Sequence, residues 1–197
     1  MNNFRIVVML MMCYLPVQVW AQRDTIPIDL KKEIVINNKR FRVYNNWISG
    51  GAGPAYHSAN PRTQLAVGVN YNFHIKHYYF RLGGQISGDD FGLWNNYQLH
   101  GGWIPYRKET ENYNLALMGG LSYSTGYKFL YAGVYETTPY NEVGGLLEIQ
   151  YIRKWKYDVG FGPAFFAEIN GRQSIVGVRL DMYFSGAYRG ESKGKRR

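Results

Sequence analysis

At 197 residues and a mean hydropathy of −0.35, the chain has room for one domain, and past its N-terminus no run approaches the ~20 apolar residues of a spanning helix, which excludes a helical membrane protein. Its only cysteine, Cys13, falls inside an N-terminal leader, so the remainder holds no disulfide, thiol nucleophile or cysteine-ligated metal. The formal charge of +9 comes with 17% aromatic residues and 23 glycines, a profile of exported all-β proteins.

Residues 1–21 read as a signal peptide. Arg5 supplies the positive start, Ile6 to Tyr14 the apolar centre, and Val19-Trp20-Ala21 a cleavage site before Gln22. Met11, Met12 and Tyr14 are too bulky around Cys13 for a lipid-attachment box. Residues 22–44 form an N-terminal segment in which Glu33–Ile36 and Arg40–Tyr44 flank Asn37-Asn38-Lys39, the pattern of a small hairpin. It is either a handle for a partner or a weakly ordered leader.

From residue 45 the sequence takes on a period of two. Asn46–Tyr56 is glycine-rich. Leu65–Ile75 alternates without a break, with Leu65, Val67, Val69, Tyr71, Phe73 and Ile75 on one face and Ala66, Gly68, Asn70, Asn72 and His74 on the other. Tyr78–Ser87, Asn114–Tyr123 and Val143–Tyr151 repeat the pattern, and Asn96–Tyr106, centred on Leu99, Gly101 and Trp103, does so more weakly. Tyr157–Glu168 does so less cleanly, and Pro163 predicts a bulge within it. Val176–Phe184 is the eighth segment, and residues 185–197 form a basic tail ending in Lys193, Lys195, Arg196 and Arg197.

A soluble β-protein wets its second face with Lys, Glu and Thr. Here that face carries Gly, Ala, Ser, Asn and Gln, which suit the narrow lumen of an eight-stranded barrel, and the long apolar side chains are left to face lipid. The expected fold is therefore all-β: an eight-stranded antiparallel up-and-down transmembrane β-barrel over residues 45–184. Arg81, Glu148, Glu168, Arg179 and Asp181 fall on the lumen face, where isolated charges are costly, so they should form one paired network.

An even strand number puts both termini at one end, expected to be the periplasm. Lys76-His77, Arg107–Asn112 and Arg153–Lys156 would be the short turns there. Most of the positive charge gathers at that rim and on the tails, as anionic head groups of the inner leaflet would favour, and Trp103, Tyr106, Tyr113, Tyr151, Trp155 and Tyr157 would form its aromatic belt. Export argues against nucleic acid as the partner of this basic charge. The longest outer loop, Thr125–Asn141, carries Tyr127, Phe129, Tyr131, Tyr135 and Tyr140. These are interaction candidates, facing either another macromolecule or lipopolysaccharide.

The closing segment Ile175-Val-Gly-Val-Arg-Leu-Asp-Met-Tyr-Phe184, with Gly177, Leu180, Met182 and Phe184, resembles the signal by which barrel-assembly machinery recognises its clients. With the strand grammar over roughly residues 45 to 184, it makes the chain similar to the small outer-membrane barrels of the OmpX and OmpA-transmembrane-domain type, particularly those of the Bacteroidota. The resemblance implies an outer-membrane location and passage through that machinery. The chain departs from the pattern by continuing past Phe184 to Arg197, and the resemblance, confined to the barrel, does not imply the cell-wall tethering of full-length OmpA-type proteins.

No constellation demands catalysis, a cofactor or a metal. His57-Ser58 and Asp89-Asp90 both fall at outer loops, where a lipid- or peptide-cleaving site would sit, but no spacing links them; His74 and His100 are inward strand positions and His77 is in a turn. The sequence therefore favours a non-enzymatic structural or interaction barrel, either free-standing or a subunit of a larger envelope complex. A narrow channel is the main alternative and a rim enzyme the lesser one.

Overall fold

The computed structural model describes residues 33–191 apart from 43, 59–62, 89–93, 128, 132–133 and 136–138. The expected signal peptide, the start of the N-terminal segment, Asp89-Asp90 and the end of the basic tail lie outside the described residues.

Eight long strands close into one antiparallel barrel. They are β3 (Trp47–His57), β4 (Thr63–Ile75), β5 (Tyr78–Gly88), β6 (Trp94–Glu109), β7 (Tyr113–Gly126), β10 (Tyr140–Lys156), β11 (Val159–Asn170) and β12 (Ser174–Ser185). Each pairs with its neighbour in sequence, and β12 closes on β3 through pairs such as Phe184 with Ile48 and Ile175 with His57. A short hairpin, β8 (Phe129–Tyr131) with β9 (Val134–Tyr135), stands in the long connection between β7 and β10.

Alternation sets the two faces. Val69, Leu99, Leu121 and Val143 point outward at 59–69% exposure, while Asn70, His100, Ser122 and Glu148 point inward at 6% or less. The polar set is thus buried and the apolar set is outside, the reverse of a soluble sandwich.

Two strands run past their expected ends. Arg107 and Glu109 belong to β6, and Arg153–Lys156 to β10, so the turns shrink to Thr110–Asn112 and Tyr157–Asp158. The bulge also falls elsewhere than expected. Around Pro163 the register is unbroken, with Gln150 opposite Ala164 and Arg153 opposite Phe161, and Pro163 itself faces Leu180. The alternation on either side holds the register at the cost of one ladder donor. At Pro105 it does slip: Trp103 pairs with Gly119, but Tyr106 pairs with Leu117. One extra residue inverts every side chain that follows. Ile104 points inward at 3% exposure, Tyr106 points out at 44%, and Arg107 turns into the lumen.

Outside the barrel, β1 (Glu33–Ile36) and β2 (Lys39–Arg42) form the expected hairpin. Asn37 and Asn38 take left-handed φ values of 52° and 64°, as a two-residue type I′ turn requires. Lys39, expected in the turn, opens β2. The tail contributes a strand of its own: β13 (Tyr188–Glu191) pairs with β2 and completes a three-stranded sheet. Phe41, 7% exposed, lies edge-on to Tyr157 at 4.5 Å, and Tyr157 stacks on Tyr188 at 5.4 Å. Tyr157 therefore docks this sheet and is not part of the expected aromatic belt. Asp158 Oδ1 holds the connection by accepting from Tyr188 N at 2.8 Å and Ser185 Oγ at 3.2 Å.

Candidate functional site

The interior of the barrel is built in three levels. In the middle, Arg81 on β5, Glu148 on β10 and Arg179 with Asp181 on β12 meet across the lumen, each at most 1% exposed. Glu148 receives Arg81 on one oxygen and Arg179 Nη2 on the other, the latter at 2.8 Å. Arg179 Nε reaches Asp181 Oδ1 at 3.3 Å. Neutral side chains take up the remaining bonds. Asn72 accepts from Arg81 Nε at 2.6 Å, Gln85 accepts from Arg179, and Gln150 donates to Asp181 at 2.8 Å and to Ser49 at 3.0 Å. Two cations and two carboxylates balance here, and Phe166 lies under the Arg179 guanidinium at 4.9 Å. Beside this level His100 Nε2 and Asn70 Oδ1 are 2.8 Å apart.

At the end where β3 begins and β12 finishes, a second level was not foreseen. Arg107 lies over Trp47 at 4.0 Å and Tyr79 at 4.6 Å, and donates to Asn45 Oδ1 at 2.8 Å and Asn114 Oδ1 at 3.0 Å. Glu109 pairs with Arg107 and Lys154 and accepts from Tyr183 OH at 3.0 Å. The sequence placed Arg107 and Lys154 in turns. The available signal was Pro105, a residue that in a strand marks a bulge and hence a change of phase.

The third level lies toward the other mouth. Glu168 stands apart from the central ions and accepts from Ser122 Oγ at 2.9 Å and from Ser124 Oγ. Tyr140 is corrected from surface candidate to lumen residue. It opens β10 at 8% exposure, donates to Asn96 Oδ1 at 2.9 Å and accepts from Gln173. Tyr127 is 45% exposed; Phe129, Tyr131 and Tyr135 lie in the β8–β9 hairpin, and their side chains are outside the described set. His57 points inward at 2% exposure, whereas Ser58 Oγ accepts from Ser174 N at 2.8 Å, so the neighbouring pair does not act as one unit. On β12, Leu180, Met182 and Phe184 face outward at 58%, 40% and 49%, and Gly177 faces Phe166 within.

No protein-family model and no curated protein sequence matches the chain. Solved structures do. Neisserial surface protein A matches with a TM-score of 0.54 at 10% identity, over 72% of this chain and 96% of that one. The N-terminal β-barrel domain of Pseudomonas aeruginosa OprF matches with a TM-score of 0.54 at 9% identity, over 72% and 97%. Ail, the attachment invasion locus protein of Yersinia pestis, gives 0.50 at 10% identity, over 72% and 98%. The likeness is one of fold. It sets this chain among small closed barrels, and the lumen residues must be understood from their own contacts.

Proposed function

We propose that the chain is an outer-membrane barrel with a closed lumen, acting through its two ends as a structural or interaction protein rather than as a channel or an enzyme. The inverted pattern of the barrel carries this reading: charged and amide side chains buried within, aliphatic and aromatic side chains exposed without. Closure removes every barrel edge, so the outer band suits hydrocarbon, and the side chains bonded across the middle level support a closed lumen.

What remains for function is the ends. The end bearing the three-stranded sheet carries Arg40, Arg42, Arg153, Lys156 and Arg189, which favour anionic head groups or an acidic partner on the periplasmic side. There β1 leaves Ile34, Val35 and Ile36 exposed at 43%, 56% and 38%. At the other end the β8–β9 hairpin carries the aromatic residues that would meet lipopolysaccharide or another envelope protein. The outward Leu180, Met182 and Phe184 on β12 suit recognition by the barrel-assembly machinery.

Fractionation tests this reading. The expressed protein should sediment with outer membranes and run faster on gels unheated than boiled. Recovery as a soluble periplasmic protein without detergent would contradict it.

A further inference from the structure

Among the described residues, Glu168 is the only buried lumen carboxylate that meets no described cation. Glu148 has Arg81 and Arg179, Asp181 has Arg179, Glu109 has Arg107 and Lys154, and Glu142 at the mouth pairs with Arg172 at 3.3 Å. Glu168 is 0% exposed. Its Oε1 accepts from Ser122, from Ser124 and, at 3.4 Å, from Asn170 Nδ2, while its Oε2 is buried with no partner. By formal charge the level around Arg107 is left with one surplus cation, the middle level balances, and the Glu168 level holds one surplus anion.

The surroundings of that anion are built from oxygen donors. Glu168 on β11 reaches Ser122 and Ser124 on β7 across β10, where Gly144, between Ser122 and Asn170 in the register, puts no side chain into the lumen; a Cβ there would lie 3.0 Å from Ser122 Oγ and 2.9 Å from Asn170 Cβ. Gln98 is the direct register partner of Ser124 and faces the same lumen. It is 3% exposed, and neither its Oε1 nor its Nε2 has a partner. Tyr140, bonded to Asn96 and Gln173, lies at the outer end of the same lumen. A buried carboxylate with a free oxygen beside an unbonded amide is costly without a counter-charge.

We propose that Glu168 anchors a binding site for a monovalent alkali cation in the outer half of the lumen, with Glu168 Oε2 as the charged ligand and the Gln98 carbonyl as a neutral one. Carboxylate, hydroxyl and amide oxygens are hard donors, which select alkali and alkaline-earth cations over transition metals. A single uncompensated negative charge selects further. A monovalent ion neutralises it, whereas a divalent ion leaves a surplus positive charge in the same dry surroundings. The site depends on the lumen alone and stands whether or not the proposed location holds.

The test uses the full chain, folded in zwitterionic detergent, with its thermal midpoint followed by unheated gel mobility. In sodium chloride the midpoint should rise saturably, by several degrees over N-methylglucamine chloride at equal ionic strength. Sodium NMR lines should broaden in the protein's presence and sharpen on adding potassium. Glu168→Gln keeps an acceptor for both serine hydroxyls but loses the charge, so its midpoint should be the same in the two salts. Should that variant not fold, Gln98→Ala is expected to raise the half-saturating sodium concentration about tenfold. Identical wild-type midpoints in the two salts, a sodium effect that survives in Glu168→Gln, stabilisation by calcium but not sodium, or no sodium broadening would each overturn the proposal.

Discussion

The guanidinium of Arg179 occupies the space a side chain at position 68 would need: a Cβ built on Gly68 lies 2.7 Å from Nη1 and 3.0 Å from Cζ. Gly68 sits on β4 and Arg179 on β12, two strands apart across β3. The missing side chain is what lets Arg179 lie flat against the wall and reach both Glu148 and Gln85.

Gly68→Val should therefore act through Arg179. We expect a loss of about 3 kcal/mol or more, from overpacking combined with a broken buried pair. Urea unfolding of the lipid-reconstituted protein measures it. Gly84→Ala on the neighbouring β5 is the control for glycine loss alone, because its Cβ would make only ordinary contacts, with Gln98 O at 3.4 Å and Leu99 Cδ2 at 3.5 Å.

Glu148→Gln leaves Arg81 without its carboxylate partner and Arg179 with Asp181 alone. A destabilisation of ~3–5 kcal/mol is expected. Arg81→Met in the same background should restore part of it, because one unpaired cation is removed. Strict additivity of the two changes in a double-mutant cycle would show that the two residues are not coupled.

At the other ionic level, Arg107→Lys keeps the charge but loses the planar contact with Trp47 and Tyr79 and the fork to Asn45 and Asn114. A cost of about 2 kcal/mol is expected for this desolvated cation–π site. Trp47, 1% exposed, should show a red-shifted contribution to the fluorescence as water enters.

Much of the fold was legible because the lumen is so narrow that the sequence alternates almost without exception. Leu65–Ile75 could be assigned to faces residue by residue, and the inward charges followed from the same alternation. What escaped notice was non-local. The inversion at Pro105 depends on one residue of slack between β6 and β7, and it carries Arg107 and Glu109 inward. The pairing of Tyr188 with Phe41 joins segments at opposite ends of the chain, and no local pattern in the tail announces it. Adjacent strands alone suggest that Glu168 and Arg179 meet. The register sets Glu168 opposite Ile175 and Arg179 opposite Ala164, four residues away along the strand.

The tail strand makes its own prediction. Deleting residues 187–197 removes β13 and leaves β1–β2 as an isolated hairpin, which is marginal in water. Trypsin should then cut at Lys39, Arg40 or Arg42 about tenfold faster, while the barrel keeps its unheated gel mobility. Unchanged cleavage would mean that β13 does not hold the hairpin.

Replacing residues 129–139 with a short Gly/Ser linker separates the roles of the outer hairpin and Tyr140. Because Tyr140 holds Asn96 and Gln173 inside the barrel, it must be kept. Folding and membrane insertion should survive, and any partner cross-linked at Tyr127 in the intact protein should be lost. A cross-link pattern that survives the replacement would move the interaction to the basic sheet at the opposite end.

Planar-bilayer recording tests the closed lumen most directly. With Arg81, Glu148, Arg179 and Asp181 bonded across the interior, the reconstituted protein should give no stable single-channel steps at neutral pH. Steady, reproducible steps from the wild-type protein, altered or abolished by Arg179→Ala, would contradict the account and make the chain a narrow channel.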